Sequence, residues 1–332
     1  MALRIGVVGA GGNARMHLRR FLAMPDVEIA GLADPSQESL AATRAAVAPV
    51  AAVPTFADLH EMLASVQLEA VLIATPHVLH YEQIVTALQA GLHVLAEKPL
   101  VHTAALARQI LDHVAASGRE VVVGFQRRFT PEYRHVRALV RDGRLGPLRH
   151  ISGVQAQGWM RATEGIWRRS WALGGGGQLS DSGSHLLDIL LWTSGRRVAE
   201  VDARMRSYGG EVEVDGAAIL TFDDGAIGSV SIIGSAQRFW ERFALIGSEG
   251  AVRVDYAAGH GYQVTHEDPA ASPEAGPTEL PPGTDPDAHF VAVVRGEVAN
   301  QSPPAETVHL LEVIEAMRAS AQVGRPVTLG DR

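Results

Sequence analysis

Asp181 and His185 lie four positions apart in Gly174-Gly175-Gly176-Gly177-Gln178-Leu179-Ser180-Asp181-Ser182-Gly183-Ser184-His185-Leu186-Leu187-Asp188. On a helix such a spacing puts two side chains on one face, so the carboxylate can hold the imidazole or share a substrate hydroxyl with it. That pair is equipped to accept a proton. Far upstream, Glu97-Lys98-Pro99 closes an apolar strand. There the Lys98 ammonium can hydrogen-bond a hydroxyl, stabilise developing alkoxide charge and help move its proton, while Pro99 removes a donor and restricts the turn. Glu97 is either the ion-pair partner of Lys98 or an anchor for a cofactor ribose or amide. With the glycine turn described next, these residues predict hydride transfer from an alcohol.

Gly9-Ala10-Gly11-Gly12-Asn13-Ala14 follows an apolar strand and opens a helical pattern, matching G-x-G-x-x-A. Gly9 permits the tight turn, Gly11 lets the backbone approach a pyrophosphate, and Ala14 allows close packing, while the N–H groups of Gly12 and Asn13 at the helix start attract negative charge. Asp34, at the end of the second strand, stands where an acid binds the adenosine ribose hydroxyls and repels a 2′-phosphate. The alternative for Asp34 is a cap on the next helix through the turn with Pro35. No arginine follows in Asp34-Pro35-Ser36, which favours NAD; Ser36 and Arg15 keep NADP open.

The elements that must position these residues alternate in the first third of the chain. Leu3 to Gly9, Val27 to Ala33, Ala70 to Thr75, His93 to Glu97 and Val121 to Gly124 read as strands without polar alternation, hence buried on both faces. Asn13 to Met24, Ser36 to Val47, Leu79 to Ala90 and Thr103 to Ser117 supply covering helices, and right-handed crossovers give a doubly wound α/β Rossmann domain over residues 1–124. After Gly124 the pattern changes. A helix from Pro131 and strands over Pro147 to Gln157, Val198 to Tyr208, Val214 to Phe222, Ile227 to Gly234, Phe239 to Gly247 and Ala251 to Tyr256 predict an α+β domain over 125–332 with an open, mostly antiparallel sheet. The stretch from Asp268 to Asp287, rich in Pro, Ala, Glu, Gly and Thr, reads as a surface connection without a catalytic role. A closing helix over 305–323 is expected to pack back on the fold.

Composition narrows the classes further. With 332 residues, 46% hydrophobic and 20% charged, the chain has material for two domains, and no apolar run reaches the roughly 20 residues that span a bilayer. The formal charge of −8 argues against a nucleic-acid or anionic-membrane partner. No cysteine is present, so disulfides and thiolate nucleophiles are excluded. The N-terminal residues read directly as a strand rather than a leader, and a cytoplasmic location is expected by default.

Several separate segments make the chain resemble the glucose-fructose oxidoreductase and inositol dehydrogenase family, Gfo/Idh/MocA. They are Gly9-Ala10-Gly11, Ala74-Thr75-Pro76 with His80, Gly91 through Glu97-Lys98-Pro99, Gly124-Phe125-Gln126-Arg127-Arg128-Phe129, the stretch holding Asp181, His185 and Asp188, and Gly324-Arg325-Pro326-Val327. The resemblance implies a Rossmann domain, a second domain on an open sheet, a site between them, and dimers or tetramers formed through that sheet. It places the family lysine on Lys98, sets Asp181 and His185 facing a sugar, inositol or polyol substrate with His185 as proton acceptor, and puts Thr75, Pro76 and His80 in the cofactor pocket. A glycosidase with retained NAD and a non-catalytic nucleotide sensor are the alternatives.

Other positions remain open at this level. Asp181 could cap a helix and His185 could be a buried ring; Asp188, among Leu186, Leu187, Ile189 and Leu190, is expected to orient a neighbour. The four glycines 174–177 suit either a substrate lid or close packing. Arg128, Trp159, Trp167 and Arg168 are candidates for substrate contact, with core packing and surface charge as the alternative. His77 and His80 have a workable spacing for a metal, but their context points to cofactor or structural use, and no metal is expected.

Overall fold

A computed structural model describes residues 2–267 and 279–330. The chain divides into two compact units, the first from Met1–Val101, Ala105–Phe125 and Thr284–Ala305, the second from His102–Ala104, Gln126–Gly283 and Glu306–Arg332. A return of residues 284–305 to the first unit is absent from a division with one cut at residue 124.

In the first unit six parallel strands, β1 (Leu3–Val8), β2 (Val27–Ala33), β3 (Thr55–Phe56), β4 (Ala70–Ile73), β5 (His93–Ala96) and β6 (Val121–Val123), lie in the order β3-β2-β1-β4-β5-β6. Helices α1 (Gly12–Leu22), α2 (Gln37–Ala46), α3 (Leu59–Ser65), α4 (His80–Gln89) and α5 (Ala104–Ser117) make the crossovers. All four residues of β4 are buried, as expected for a strand covered on both faces. The strand order reverses between β1 and β4, and ligands of such sheets bind beyond the carboxyl ends at that point. Gly9, Ala74-Thr75 and Glu97-Lys98 therefore follow three neighbouring strands at the same edge. Strand β3 and helix α3 were not foreseen: two residues carry no periodicity, and the helix is one short segment started by Asp58, whose side chain accepts the Glu61 N–H.

The second unit holds α6 (Pro131–Arg141), β7 (Leu148–Ala156), α7 (Trp159–Ala162), α8 (Trp171–Gly174), α9 (Gly183–Ser194), β8 (Val198–Arg206), β9 (Asp215–Phe222), β10 (Ile227–Ile233), β11 (Trp240–Gly247), β12 (Ala251–Ala257), β13 (Gly261–Glu267) and β14 (Val327–Thr328). Its eight strands run in the order β13-β12-β11-β7-β10-β9-β8-β14, antiparallel except for the β7–β10 pair. One face is covered by α9, which comes so close to β7 that a Cβ on Gly153 would sit 2.9 Å from a Leu186 methyl. Alternation sends Ile219, Ile227, Trp240 and Ile246 to the opposite face, where all four are exposed.

Two helices follow. In α10 (Pro286–Val294), a part of the first unit, Asp285 caps the start by accepting the Asp287 and Ala288 N–H groups. Its buried Phe290, Val291 and Val293 belong to the core under β1 and α1. Of the stretch from Asp268 to Asp287 expected as a surface connection, residues 268–278 lie outside the described residues, and the last three, Asp285 to Asp287, instead begin a buried helix. Helix α11 (Pro304–Val323) runs into the second unit from Glu306 onward. Among the described residues no helix is long and apolar enough to cross a membrane.

Candidate functional site

The turn after β1 has the properties a diphosphate requires. Gly9 has φ +94°, and a Cβ there would sit 2.6 Å from the Ala74 carbonyl oxygen, so the position admits only glycine. Gly11 and Gly12 are exposed, a Cβ on either would touch nothing within 4 Å, and α1 starts without a side-chain cap or an acidic residue in its first turn. This leaves the helix start, with Asn13 half-buried, for an anion to approach, while Ala14 is fully buried beneath it. The group present thus fits NAD on the chain's own terms.

Asp34 binds the same turn from β2. Its Oδ2 accepts the Ala10 N–H at 2.7 Å and its Oδ1 the Ser36 N–H at 2.8 Å. The cap of α2 is Ser36, which accepts the Ser39 N–H, so Asp34 is not that helix's capping residue. Thr43 donates to the Ala10 carbonyl at 2.6 Å and receives Arg15 Nε at 2.9 Å, which bends Arg15 back onto α2.

Beyond β4, the Thr75 hydroxyl donates to Gln83 and Pro76 opens a short 3₁₀ turn. His80 differs from its expected place lining the pocket. It has no exposed surface, and its Nδ1 and Nε2 lie 3.0 Å from the Pro99 and Thr75 carbonyls respectively. The ring joins the loop after β4 to the turn after β5 and so shapes the pocket rather than facing it.

Lys98 is the only lysine among the 29 Lys and Arg residues of the chain, and it is 7% exposed. The bond to Pro99 is cis. Glu97 is turned inward: Oε2 accepts the Lys98 N–H at 3.2 Å and Oε1 lies 2.8 Å from His17 Nε2. Each oxygen is thus engaged once within the unit.

His17, on the buried stripe of α1 with Ala14, Leu18 and Phe21, is the functional neighbour that motif reading missed. Its Nδ1 lies 2.6 Å from Asp287 Oδ1, and Arg20 reaches Asp287 Oδ2 at 3.1 Å. Burial alone pushes the ring down, but hydrogen bonds to Asp287 and Glu97 and their charges outweigh it, and the pKa is raised to about 10. Burial likewise opposes ionisation of Glu97, yet His17 and the Lys98 charge bring that carboxyl below its usual range. The signal was available: a histidine on the apolar stripe of a buried helix needs partners.

In the second unit Asp181 lies in a turn two residues before α9, while His185 is inside its first turn. They do not share a helix face as the spacing suggested. Nor does Asp181 cap the helix, whose start has no side-chain cap. Its Oδ2 instead accepts the buried Trp159 indole N–H at 2.8 Å and Arg168 Nε at 3.1 Å, and Ser184 donates to its carbonyl. His185 is 8% exposed and its N–H meets the Ser182 carbonyl.

The glycines before this turn are buried and packed, not a lid. A Cβ on Gly177 would run into the Glu213 carbonyl, and one on Gly176 into the Arg318 guanidinium. Arg318 of α11 donates to the Ser180 hydroxyl and to Glu213 and lies over the Trp171 ring.

Of the four substrate candidates, two are committed inward. Arg128 is buried and grips Asp188 with Nε at 2.9 Å and with Nη2, and also pairs with Glu306. A guanidinium held by two carboxylates is not offered to a ligand, and Asp188 orients this neighbour as expected. Trp159 holds Asp181. Arg168 reaches Asp181 from above the Trp167 ring, 4.4 Å from its centroid, and Trp167 stays half-buried.

Residues 3–125 match the sequence model of an oxidoreductase family with an NAD-binding Rossmann fold, and residues 133–253 match the GFO/IDH/MocA C-terminal domain. The rhizopine catabolism protein MocA of Rhizobium meliloti is 32% identical over 238 residues, covering 71% of this chain and 72% of that protein. The chain belongs to the Gfo/Idh/MocA family. Within the family, an inositol 2-dehydrogenase of Leifsonia xyli is 35% identical over 61% of this chain and 56% of its own length, so the chain spans little more than half of that relative. The crystal structure of GenD2 from gentamicin A biosynthesis in complex with NAD superposes with a TM-score of 0.85 at 26% identity, covering 99% of this chain and 97% of that one. The Rossmann unit of this Gfo/Idh/MocA protein is an NAD-binding domain, and the eight-stranded sheet is the family's second domain.

The His17 charge has a measurable consequence. Its pKa is about 10 in the folded chain against an ordinary 6.5, so the folded state holds the extra proton between these values. The stabilisation is complete below 6.5 and lost as pH rises through about 10. Thermal unfolding of the wild type should therefore decline across that window, with His17→Gln giving a lower and flatter profile; parallel profiles would contradict the assignment.

Proposed function

We propose that this chain is an NAD-dependent dehydrogenase of a secondary alcohol on a sugar, inositol or related polyol. The observation that carries this reading is Lys98: the chain's single lysine, at the carboxyl edge of β5 and on the same sheet edge as the nucleotide turn two strands away, in a domain of an NAD-binding oxidoreductase family. NAD, when bound, accepts a hydride from the carbinol carbon. His185 takes the hydroxyl proton as the carbonyl forms, and Lys98 stabilises the negative charge that builds on that oxygen. Asp181, with one oxygen held by Trp159 and Arg168, orients His185 or a neighbouring hydroxyl. Trp167 and Trp171, half-buried and exposed, offer faces for a sugar ring, and Arg168 a donor for its hydroxyls or a carboxylate. An inositol 2-dehydrogenase among the relatives supports the polyol class.

A second part of the proposal concerns assembly. Ile219, Ile227, Trp240 and Ile246 are all exposed on one sheet face, a composition suited to burial against the same face of another copy.

NADH formation followed by absorbance, over a panel of aldoses, sugar acids and inositols, tests the activity. Lys98→Met should keep NAD binding and lose turnover by about 10²- to 10⁴-fold; full turnover in that variant removes Lys98 from the chemistry. NAD bound but never reduced in the wild type would instead favour a retained-cofactor glycosidase or a nucleotide sensor. For the assembly, light scattering should show a multiple of the chain mass that Ile227→Asp reduces. A monomeric wild type would refute it.

A further inference from the structure

The buried cluster behind Lys98 has more groups than an NAD pocket needs. Glu97 from the end of β5, His17 and Arg20 from α1, and Asp287 from α10 form a continuous chain: Glu97 Oε1 to His17 Nε2 at 2.8 Å, His17 Nδ1 to Asp287 Oδ1 at 2.6 Å, and Arg20 to Asp287 Oδ2 at 3.1 Å. His17 is 1% exposed and Asp287 has no exposed surface. With both carboxyls ionised and both cationic groups charged, the four side chains sum to zero without counting Lys98. The other end of Glu97 accepts the Lys98 N–H.

We infer that His17 and Asp287 are positioning residues for the reaction: by holding Glu97 from behind, they fix the carboxylate oxygen that receives the Lys98 N–H, and with it the main chain that carries the Lys98 side chain. This rests on the dehydrogenase reading above and deepens it. Without His17, Glu97 Oε1 loses the partner that holds it, and the Oε2 that receives the Lys98 N–H is no longer anchored. A lysine whose main chain is not fixed cannot hold its ammonium where an oxyanion forms. The proposal also gives the return segment a purpose: α10 comes back to the first unit carrying Asp287, which sets the ring of His17 so that Nε2 meets Glu97. Neither His17 nor Asp287 is placed to touch substrate, so each acts through Glu97.

Because Lys98 is the only lysine, biosynthetic labelling with [ε-13C]lysine yields one side-chain signal that reports on it alone. That signal, kcat, KM, NAD affinity and melting temperature are to be compared for the wild type, His17→Gln, Asp287→Asn, Glu97→Gln and the His17→Gln/Glu97→Gln double variant. Asp287→Asn keeps the shape and an acceptor oxygen, which guards against a His17 variant that does not fold. The proposal expects the lysine signal to move in both single variants, kcat to fall about 10- to 100-fold, and KM and NAD affinity to stay within about threefold. With Gln at 97, replacing His17 should cost little more. Folded variants with an unmoved lysine signal and wild-type kcat would overturn it, leaving His17 as a packing group. Equal losses with Glu or Gln at 97 would overturn the route through Glu97. If the wild type oxidises no polyol, the functional reading fails, and the lysine signal still decides whether His17 and Asp287 act on Lys98.

Discussion

An imidazolium buried between two carboxylates is the constraint on which the first unit's site depends. Removing such ions from water costs several kcal/mol each, and their attraction offsets this only where geometry is good and every polar atom is served. Both nitrogens of His17 meet a carboxylate oxygen, and Arg20 serves the far oxygen of Asp287. Three elements far apart in sequence, α1, the end of β5 and α10, are thereby held in one arrangement. The nucleotide turn leads into α1 and Lys98 follows β5, so the charge cluster ties the residues expected to hold NAD to the residue expected to work on the substrate. His80 acts beside it without charge transfer, fastening the Thr75 loop to Pro99.

The second unit solves a similar problem with packing. Asp181 sits in a turn rather than in a helix, and turns are held by what surrounds them. Gly177 brings the chain against Glu213 and Gly176 brings it against Arg318, contacts that any side chain would block. Trp159 and Arg168 then converge on one carboxylate oxygen. Gly177 is required by close approach to the Glu213 backbone and Gly176 by its φ of +151°, and rigidity here suits a group that must present a carboxylate in one direction.

Much of this was legible because the signals were local. The Rossmann strands are continuous apolar runs, Gly9 through Ala14 sits at a strand-to-helix turn, and Glu97-Lys98-Pro99 ends a strand, so type and place could be read together. The alternating strands β7 to β12 were similarly visible. What escaped depends on distant partners. His17 becomes meaningful only beside Glu97 and Asp287, the latter in a segment whose Pro- and Gly-rich approach hid a buried helix. Arg128 looked like a ligand-binding cation until Asp188 and Glu306 were found around it. Strand β13 lies at the sheet edge with four of its seven residues partly buried and three exposed, and such a strand has little hydrophobic pattern to read. The Asp181 to His185 spacing suggested a helix face, but the helix begins only at Gly183, which lies close against Ile232, and Asp181 precedes it in a turn.

The proposed dehydrogenase activity requires direct hydride transfer from a carbinol carbon to NAD. A substrate polyol deuterated at its ring carbons checks this through the position of the deuterium after reaction. Deuterium is expected at the nicotinamide C4 of the NADH released, with a slowed rate where that transfer limits turnover. Deuterium appearing in water or returned to the sugar, with no labelled NADH released, would contradict it.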